Sequence, residues 1–138
     1  MRAGLDEVPG DATIICVHDA ARPLADGALF GRVIDAVAAG ADAAIPGVAV
    51  TDTVKVVDNG VVVSTPDRST LVAVQTPQAF RAEILRRAHR CEPDATDDAA
   101  LVEQMGGTVV VVEGDADNRK VTRPDDLDWV RRRWSERT

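Results

Sequence analysis

Four short apolar runs of four or five residues constrain the fold of this chain more than any other feature. They lie at residues 13–17, 43–46, 71–74 and 108–112. Each run is continuous rather than alternating with polar residues, which is typical of strands buried on both faces of a parallel sheet. Because helical patterns separate most of the runs, the sequence predicts an α/β fold with helices on both faces of the sheet.

We expect four helices, each with one apolar face that packs on the sheet. Asp26 is the predicted N-cap of the first helix, and Gly40 lies just beyond its end. The second helix spans about residues 81–90, Thr96 caps the third, and the fourth opens at residues 122–125. The residues expected on the apolar faces are Leu29, Val33, Ile34, Val37, Ile84, Leu85, Ala88, Leu101, Val102, Met105, Leu127, Val130 and Trp134.

A β-hairpin interrupts the α/β alternation. Residues 54–57 and 61–64 are rich in valine and flank an Asn59-Gly60 pair. Asn and Gly tolerate the positive φ angles of a two-residue hairpin turn, so this pattern is a strong hairpin signal. We interpret residues 50–66 as an arm that is inserted into the main fold.

The composition excludes several classes of function. The chain has 138 residues and a mass of 14.7 kDa, and its 16 basic and 23 acidic residues give a net charge of −7. An acidic chain with 3% aromatic residues is poorly suited to bind nucleic acid by phosphate neutralisation or base stacking. Two cysteines, Cys16 and Cys91, without a CxxC pattern argue against a disulfide scaffold or a structural zinc site. No apolar run approaches the roughly 20 residues of a membrane span, and no signal peptide opens the chain, so we expect a cytoplasmic protein without a membrane partner.

Polar clusters indicate where a ligand could bind. They lie at residues 19–22, 65–68, 76–78 and 115–120, mostly directly after predicted strands. Ligands of open α/β sheets bind beyond the carboxyl ends of the strands. The clusters contribute arginines, a lysine, hydroxyls and carboxylates, a set that suits a phosphorylated ligand. A polar loop after a strand is more often only a loop, so position alone does not decide between the two interpretations.

Three other patterns have simpler structural explanations. His18 next to Asp19 resembles a metal-binding pair, but it is more simply a packed, hydrogen-bonded histidine. Asp115 and Asp117 have the spacing of a metal-binding pair, yet short acidic loops are common in so acidic a chain. The arginines at residues 131–133 are most simply the solvated face of the last helix.

Six motifs in a fixed order resemble one known family. They are VHDAARP at 17–23, TDTVK at 51–55, TPDR at 65–68, QTPQ at 75–78, ATDDA at 95–99 and DNRKVTRPDDL at 117–127. In this respect the chain is similar to the 2-C-methyl-D-erythritol 4-phosphate cytidylyltransferases of the non-mevalonate isoprenoid pathway. The resemblance implies a Rossmann-like nucleotidyltransferase sheet and a homodimer joined through the hairpin arm.

The same resemblance implies a reaction and a set of site residues. CTP and methylerythritol phosphate combine and release pyrophosphate, with Mg²⁺ carried on the triphosphate and no protein ligand of the metal identified. Asp19 and Ala20 would contact the nucleotide, while Arg68 and Lys120 would act in catalysis by positioning the second substrate. The residues implied around methylerythritol phosphate are Asp19, Arg22, Thr53, Arg68, Thr76, Thr96 and Lys120, some of them donated across the dimer.

The chemistry fits these residue types. A phosphate monoester has a second pKa of about 6 and is already largely a dianion at neutral pH, so it attacks without a general base. Such a reaction needs in-line positioning and cationic charge on the phosphates, which Lys120 and Arg68 can supply.

The front of the family pattern does not occur in this sequence. The glycine-rich phosphate loop, a following lysine and the segment that reads cytosine are all missing from residues 1–138. We therefore expect residues 1–138 to be the C-terminal portion of a single nucleotidyltransferase domain, incomplete at its N-terminus. The strand at 13–17 would then be a bare apolar edge, which is an aggregation hazard. Two alternatives are a cytidylyltransferase for another polyol phosphate, such as ribitol 5-phosphate, and a non-catalytic fragment.

Overall fold

A mixed five-stranded sheet forms the centre of the molecule in the computed structural model, which describes residues 2–90 and 97–137. Its strands are β1 (Ile14–Val17), β2 (Ala43–Ala49), β5 (Val72–Val74), β6 (Gln78–Arg81) and β7 (Val109–Glu113). The strand order is β1-β6-β2-β5, and β7 pairs with the other edge of β2. The α/β class is thereby confirmed, and β1 is an edge strand among the described residues.

The strands were expected to form a parallel sheet, but the sheet is mixed. Among the described pairs only β2 and β7 run parallel, whereas β6 lies between β1 and β2 and is antiparallel to both. β5 continues along the same edge of β2, also antiparallel. β6 was not predicted, because Gln78–Arg81 has polar residues at both ends and lacks an apolar run.

Helices cover both faces of the sheet, as predicted. The described helices are α1 (Arg2–Asp6), α2 (Gly27–Ala38), α3 (Ala82–Arg90), α4 (Asp98–Gln104) and α5 (Pro124–Arg137). Val33 and Val37 of α2 pack with Ala44 on one face of the sheet, while Leu85 and Val102 pack with Ile45 on the other. The alternation of Ala44 and Ile45 between two cores is what a central strand with two buried faces requires.

The helix ends follow the expected capping chemistry, with one correction. The Asp26 carboxylate accepts a hydrogen bond from the Leu29 backbone N–H at 2.9 Å, and Gly40 has a φ of 124° just beyond α2. The cap of α4 is Asp97, whose carboxylate accepts from the Ala100 N–H, rather than Thr96. Thr96 itself lies outside the described residues.

The apolar face of α5 was only partly predicted. Val130 is buried as expected, but Leu127 and Trp134 are 44% and 55% exposed. Ile34 of α2 is also exposed, at 36%. In α5 the contacts with the loop after β7 include ion pairs of Arg133 and Arg137.

The hairpin forms as predicted and stands apart from the main sheet. β3 (Val56–Asp58) and β4 (Val61–Ser64) make a separate two-stranded sheet. Asn59 and Gly60 at its turn have φ angles of 47° and 82°, the positive values that the Asn-Gly pair predicted. All residues of both strands are exposed.

None of the described helices has the length and apolar character that crossing a bilayer needs.

Candidate functional site

The centre of the candidate site is the break between β5 and β6, where the buried Gln75 fixes a neighbouring loop. Its side-chain amide donates to the Asp115 carbonyl at 2.8 Å, and its oxygen accepts from the Asp115 N–H at 3.1 Å. Its own backbone N–H donates to the Pro46 carbonyl at 2.8 Å. This two-way amide contact ties the loop after β7 to the loop after β5.

Asn118 anchors the same loop from within. It is fully buried, and its side-chain amide donates to the Thr76 carbonyl at 2.8 Å. Its own carbonyl accepts from the Arg22 guanidinium at 2.7 Å. Three polar loops that are distant in sequence therefore meet through one buried asparagine. The sequence did not identify Gln75 or Asn118 as supports. The available signal for Gln75 was its position at the end of the apolar run 71–74, whereas Asn118 lies within a polar segment that offers no such signal.

Asp19 and Lys120 form an ion pair in front of these anchors. The Lys120 Nζ lies 2.8 Å from Asp19 Oδ2, and Asp19 Oδ1 accepts from the Ala21 N–H at 2.9 Å. The bond from Lys120, followed by that from Ala21, lowers the pKa of the Asp19 carboxyl below its ordinary value. The lysine side chain is 52% exposed, so its ammonium group remains accessible to a ligand.

Thr76 links Asp19 to His18. Its hydroxyl oxygen accepts from the Asp19 N–H at 3.0 Å and lies 3.1 Å from His18 Nδ1. His18 Nε2 lies 3.1 Å from the Arg22 carbonyl, which only accepts, so in the neutral ring Nε2 carries the proton and Nδ1 accepts from Thr76. The ring also packs 5.4 Å from that of Phe30. His18 is hydrogen-bonded, as interpreted, and contacts the Phe30 ring, but it is exposed rather than packed in the core.

Arg22 is half-buried and completes a loop cluster, which consists of Asp19, Ala20, Arg22, Thr76 and Lys120 with the buried Gln75 and Asn118 behind them. Its guanidinium donates to the Asn118 carbonyl and, at 3.4 Å, to the Val74 carbonyl. Burial lowers the pKa of Arg22, and the nearby charge of Asp19 opposes that shift. Ala20 is exposed at the turn between Asp19 and Arg22, where the Arg22 N–H donates to the Asp19 carbonyl at 2.9 Å.

Two of the expected site residues lie elsewhere in the chain. Arg68 follows the hairpin and donates to the Thr51 carbonyl at 2.6 Å, and Thr53 is exposed at the hairpin base. Across residues 2–90 and 97–137, no hydrogen bond or ion pair joins either side chain to Asp19 or Lys120. The structure thus brings Asp19, Ala20, Arg22, Thr76 and Lys120 together, while Arg68 and Thr53 form a second group beside the arm.

The acidic pair after β7 contacts arginines. Asp117 Oδ2 lies 2.6 Å from both Nε and Nη2 of Arg133, and Asp115 Oδ2 lies 3.3 Å from Arg137 Nη2. Arg133 is therefore ion-paired and only partly exposed, whereas Arg131 and Arg132 are exposed as expected for a solvated face. In the described part of the chain no three His, Cys, Asp or Glu side chains are grouped to hold a metal ion.

A cavity of about 600 Å³ lies at the opposite end of β1 from Asp19. Its lining includes Thr13, Val37, Arg81 and Arg86. Arg81 donates to the Ala41 carbonyl and Arg86 to the Pro9 carbonyl, so both guanidinium groups already have protein partners. None of the residues that line this cavity belongs to the six motifs, so the motifs favour the open surface at Asp19 and Lys120.

Comparison with known proteins extends these observations. The sequence model of the family described as "IspD: 2-C-methyl-D-erythritol 4-phosphate cytidylyltransferase" matches residues 1–131. A relative of that name from Nocardia farcinica is 52% identical over 128 residues, which cover 92% of this chain and 55% of the relative. The bifunctional enzyme IspD/IspF of Oleidesulfovibrio alaskensis is 52% identical over 130 residues, covering 91% of this chain and 33% of the relative.

Solved structures agree with the sequence relatives. The 4-diphosphocytidyl-2C-methyl-D-erythritol synthase of Anaerococcus prevotii superimposes with a TM-score of 0.89 at 30% identity, covering 97% of this chain and 64% of that one. The 2-C-methyl-D-erythritol 4-phosphate cytidylyltransferase of Thermus thermophilus gives 0.80 at 35% identity, covering 92% and 63%. The chain thus spans between a third and two thirds of the length of these relatives. On the family match and these likenesses together, the chain belongs to the 2-C-methyl-D-erythritol 4-phosphate cytidylyltransferase family.

Proposed function

We propose that this chain takes part in cytidylyl transfer from CTP to 2-C-methyl-D-erythritol 4-phosphate, with release of pyrophosphate, in non-mevalonate isoprenoid biosynthesis. The observation that carries the proposal is the Lys120–Asp19 pair at 2.8 Å, in front of Thr76. It joins three of the family motifs at one edge of the sheet. Family membership supports the choice of substrates.

The proposed reaction is an in-line displacement at phosphorus. An oxygen of the methylerythritol phosphate attacks the α-phosphorus of CTP, a new P–O bond forms, and the bond to pyrophosphate breaks. The attacking phosphate is largely a dianion at neutral pH and needs no general base. Catalysis therefore depends on orientation and on positive charge near the phosphates.

Lys120 is the residue that we propose to hold the attacking phosphate. Its partner Asp19 orients the ammonium group, and the depressed pKa of Asp19 keeps that carboxyl ionised. Asp19 and Ala20 would contact the nucleotide, and Arg22 and Thr76 would line the pocket of the second substrate. The Thr76 hydroxyl, already bonded to the Asp19 N–H, would hold the turn in place during the reaction.

Arg68 is the proposed second positioning cation, and it lies with Thr53 near the arm. Because these two side chains have no bond to the Asp19 cluster of their own chain, we propose that they complete the pocket of a partner copy. Thr96, outside the described residues, is proposed for the same pocket.

The arm supports a homodimer. Six of its valines are exposed, by between 37% and 68%: Val54, Val56, Val57, Val61, Val62 and Val63. A cluster of exposed apolar side chains of this kind marks an interaction surface. We propose that a second copy of this chain covers it.

Magnesium fits the site only as a companion of the triphosphate. Among the described residues, Asp19 is the carboxylate that contacts Lys120, and both of its oxygens already accept hydrogen bonds. Phosphate oxygens would therefore hold the ion, whose chemistry is to reduce negative charge on the phosphates.

The nucleotide substrate and the free thiol of Cys16 support the proposed cytoplasmic location.

Pyrophosphate release from CTP tests the proposal. It is measured with methylerythritol phosphate and, separately, with ribitol 5-phosphate, for the 138-residue chain and for a chimera in which this chain replaces the matching 128 residues of the Nocardia farcinica relative. Release with methylerythritol phosphate by either form supports the proposal. Release only with ribitol 5-phosphate, or with neither substrate in both forms, contradicts it.

A further inference from the structure

The loop that carries Lys120 also carries two carboxylates that the proposed reaction does not use. Asp115 and Asp117 precede Lys120 by five and three residues. A site for phosphorylated substrates is weakened by nearby negative charge, and a carboxylate in the same loop can compete for the lysine. In the structure Lys120 pairs with Asp19 and Asp117 pairs with Arg133, so the two carboxylates of this region have separate cations.

Helix α5 supplies cations to these carboxylates. Arg133 places two nitrogens 2.6 Å from Asp117 Oδ2, an arrangement that uses the fork of the guanidinium group. Arg137 Nη2 lies 3.3 Å from Asp115 Oδ2 and 3.6 Å from Asp117 Oδ2. Two arginines thus face two carboxylates, and the local charge of the four side chains is zero.

Both arginines are fixed in position by other contacts. Arg137 Nη1 donates to the Leu24 carbonyl at 2.8 Å, and Arg133 Nη1 donates to Glu136 at 2.6 Å. The buried Val130 attaches the same helix to the body of the protein. The spacing of four residues places Arg133 and Arg137 on one face of α5, so a single docked helix presents both.

We propose that Arg133, assisted by Arg137, is a positioning residue for Lys120: it holds Asp117 away from the lysine, which leaves Lys120 to Asp19 and to the substrate phosphate. When Arg133 is removed, Lys120 exchanges Asp19 for Asp117. The effect on turnover rests on the proposed function, whereas the exchange of ion pairs does not.

The exchange is measured by NMR titration of the Asp19 carboxyl, which needs no activity. In the unaltered chain its pKa lies below the ordinary value, chiefly because of Lys120. Arg133→Met is expected to raise it toward that value. Arg132→Met, which removes the same charge from an exposed position of the same helix, is expected to leave it unchanged.

A second substitution separates competition from simple loss of structure. In the Arg133→Met background, Asp117→Asn removes the competing charge and is expected to restore the low pKa of Asp19. If Arg133 only held the loop in shape, the added change would restore nothing. Arg133→Lys keeps the charge without the fork and is expected to give an intermediate result.

Turnover is the second measurement, made on whichever form of the chain releases pyrophosphate. Arg133→Met is expected to lower kcat/KM for methylerythritol phosphate about tenfold, a change equal to about 1.4 kcal/mol. Arg132→Met is expected to change it less than twofold, and Arg133→Met with Asp117→Asn to recover most of the loss. An unchanged pKa of Asp19 in Arg133→Met, or no recovery on adding Asp117→Asn, would overturn the inference. Absence of turnover together with the expected pKa changes would overturn the proposed function alone.

Discussion

The loop cluster around Asp19 and the hairpin arm differ in how the rest of the chain supports them. The cluster has buried amides behind it, with Gln75 and Asn118 bonded to three loops. The arm exposes every residue of its two strands and forms a sheet by itself. The cluster is thus organised within one chain, whereas the exposed arm fits the proposed role as an interface with a second copy.

The largest expected effect is on the chemistry of the cluster. We expect Lys120→Met to lower kcat about 10²–10³-fold, because a positioned charge on the reacting phosphates is removed. The matched control is Arg123→Met, which removes a charge from an exposed residue three positions along. Steady-state pyrophosphate release measures both. Equal losses in the two variants would mean that Lys120 acts only through net charge.

The second largest effect concerns the arm. Replacing Val61 and Val63, which are 68% and 63% exposed, with lysine is expected to weaken dimerisation about 100-fold. The loss of burial amounts to about 1.5 kcal/mol or more for each valine. Sedimentation velocity over a concentration series measures the dissociation constant, and Asp58→Lys at the hairpin tip is the control. If the double variant and the unaltered chain sediment alike, the arm is not the dimer interface.

The third effect is on the stability of the cluster. Asn118→Ala is expected to lower the free energy of unfolding by about 2 kcal/mol, since it removes a fully buried side chain and leaves the part-buried Thr76 carbonyl without its donor. Ser64→Ala in the exposed arm is expected to change it by less than about 0.5 kcal/mol. Urea unfolding at fixed protein concentration compares the two. Similar costs at both positions would remove the contrast between a supported cluster and an unsupported arm.

The smallest effect is on the pH dependence of stability. The folded pKa of Asp19 is lowered, so its contribution is present above its unfolded pKa of about 3.9 and is lost as the pH falls through the folded value. The difference in unfolding free energy between the chain and Asp19→Asn should therefore be constant above about pH 5 and shrink below pH 4. Asp52→Asn, at an exposed position beside the arm, is the control. A difference that grows toward low pH would contradict the assigned pairing.

The sequence predicted those features that depend on local backbone preferences. The Asn59-Gly60 pair predicted the hairpin turn, and Asp26 and Gly40 predicted the ends of α2. β6 was missed because its four residues acquire strand structure from β1 and β2, which flank it in space and not in sequence. Local pattern carries no information about such pairing.

The candidate site was predicted by residue type but not by connection. Motif order identified Asp19, Thr76 and Lys120, which the structure joins by hydrogen bonds and an ion pair. Asp115 and Asp117 were interpreted separately from Arg133, and this interpretation was incomplete. Asp117 and Arg133 are 16 positions apart in the sequence and come into contact only when α5 packs against the loop after β7. The local signals were the opposite charges of these residues and the four-residue spacing between Arg133 and Arg137.

Binding of the phosphorylated substrate by the loop cluster around Asp19 is tested most directly by NMR titration with methylerythritol phosphate. We predict saturable shifts of the Asp19, Ala20, Thr76 and Lys120 amide signals, with the signals of Asn59 and Gly60 at the arm tip unchanged. The same titration of Lys120→Met should give much weaker binding. Shifts confined to Thr13, Arg81 and Arg86, which line the cavity at the other end of β1, would contradict the account.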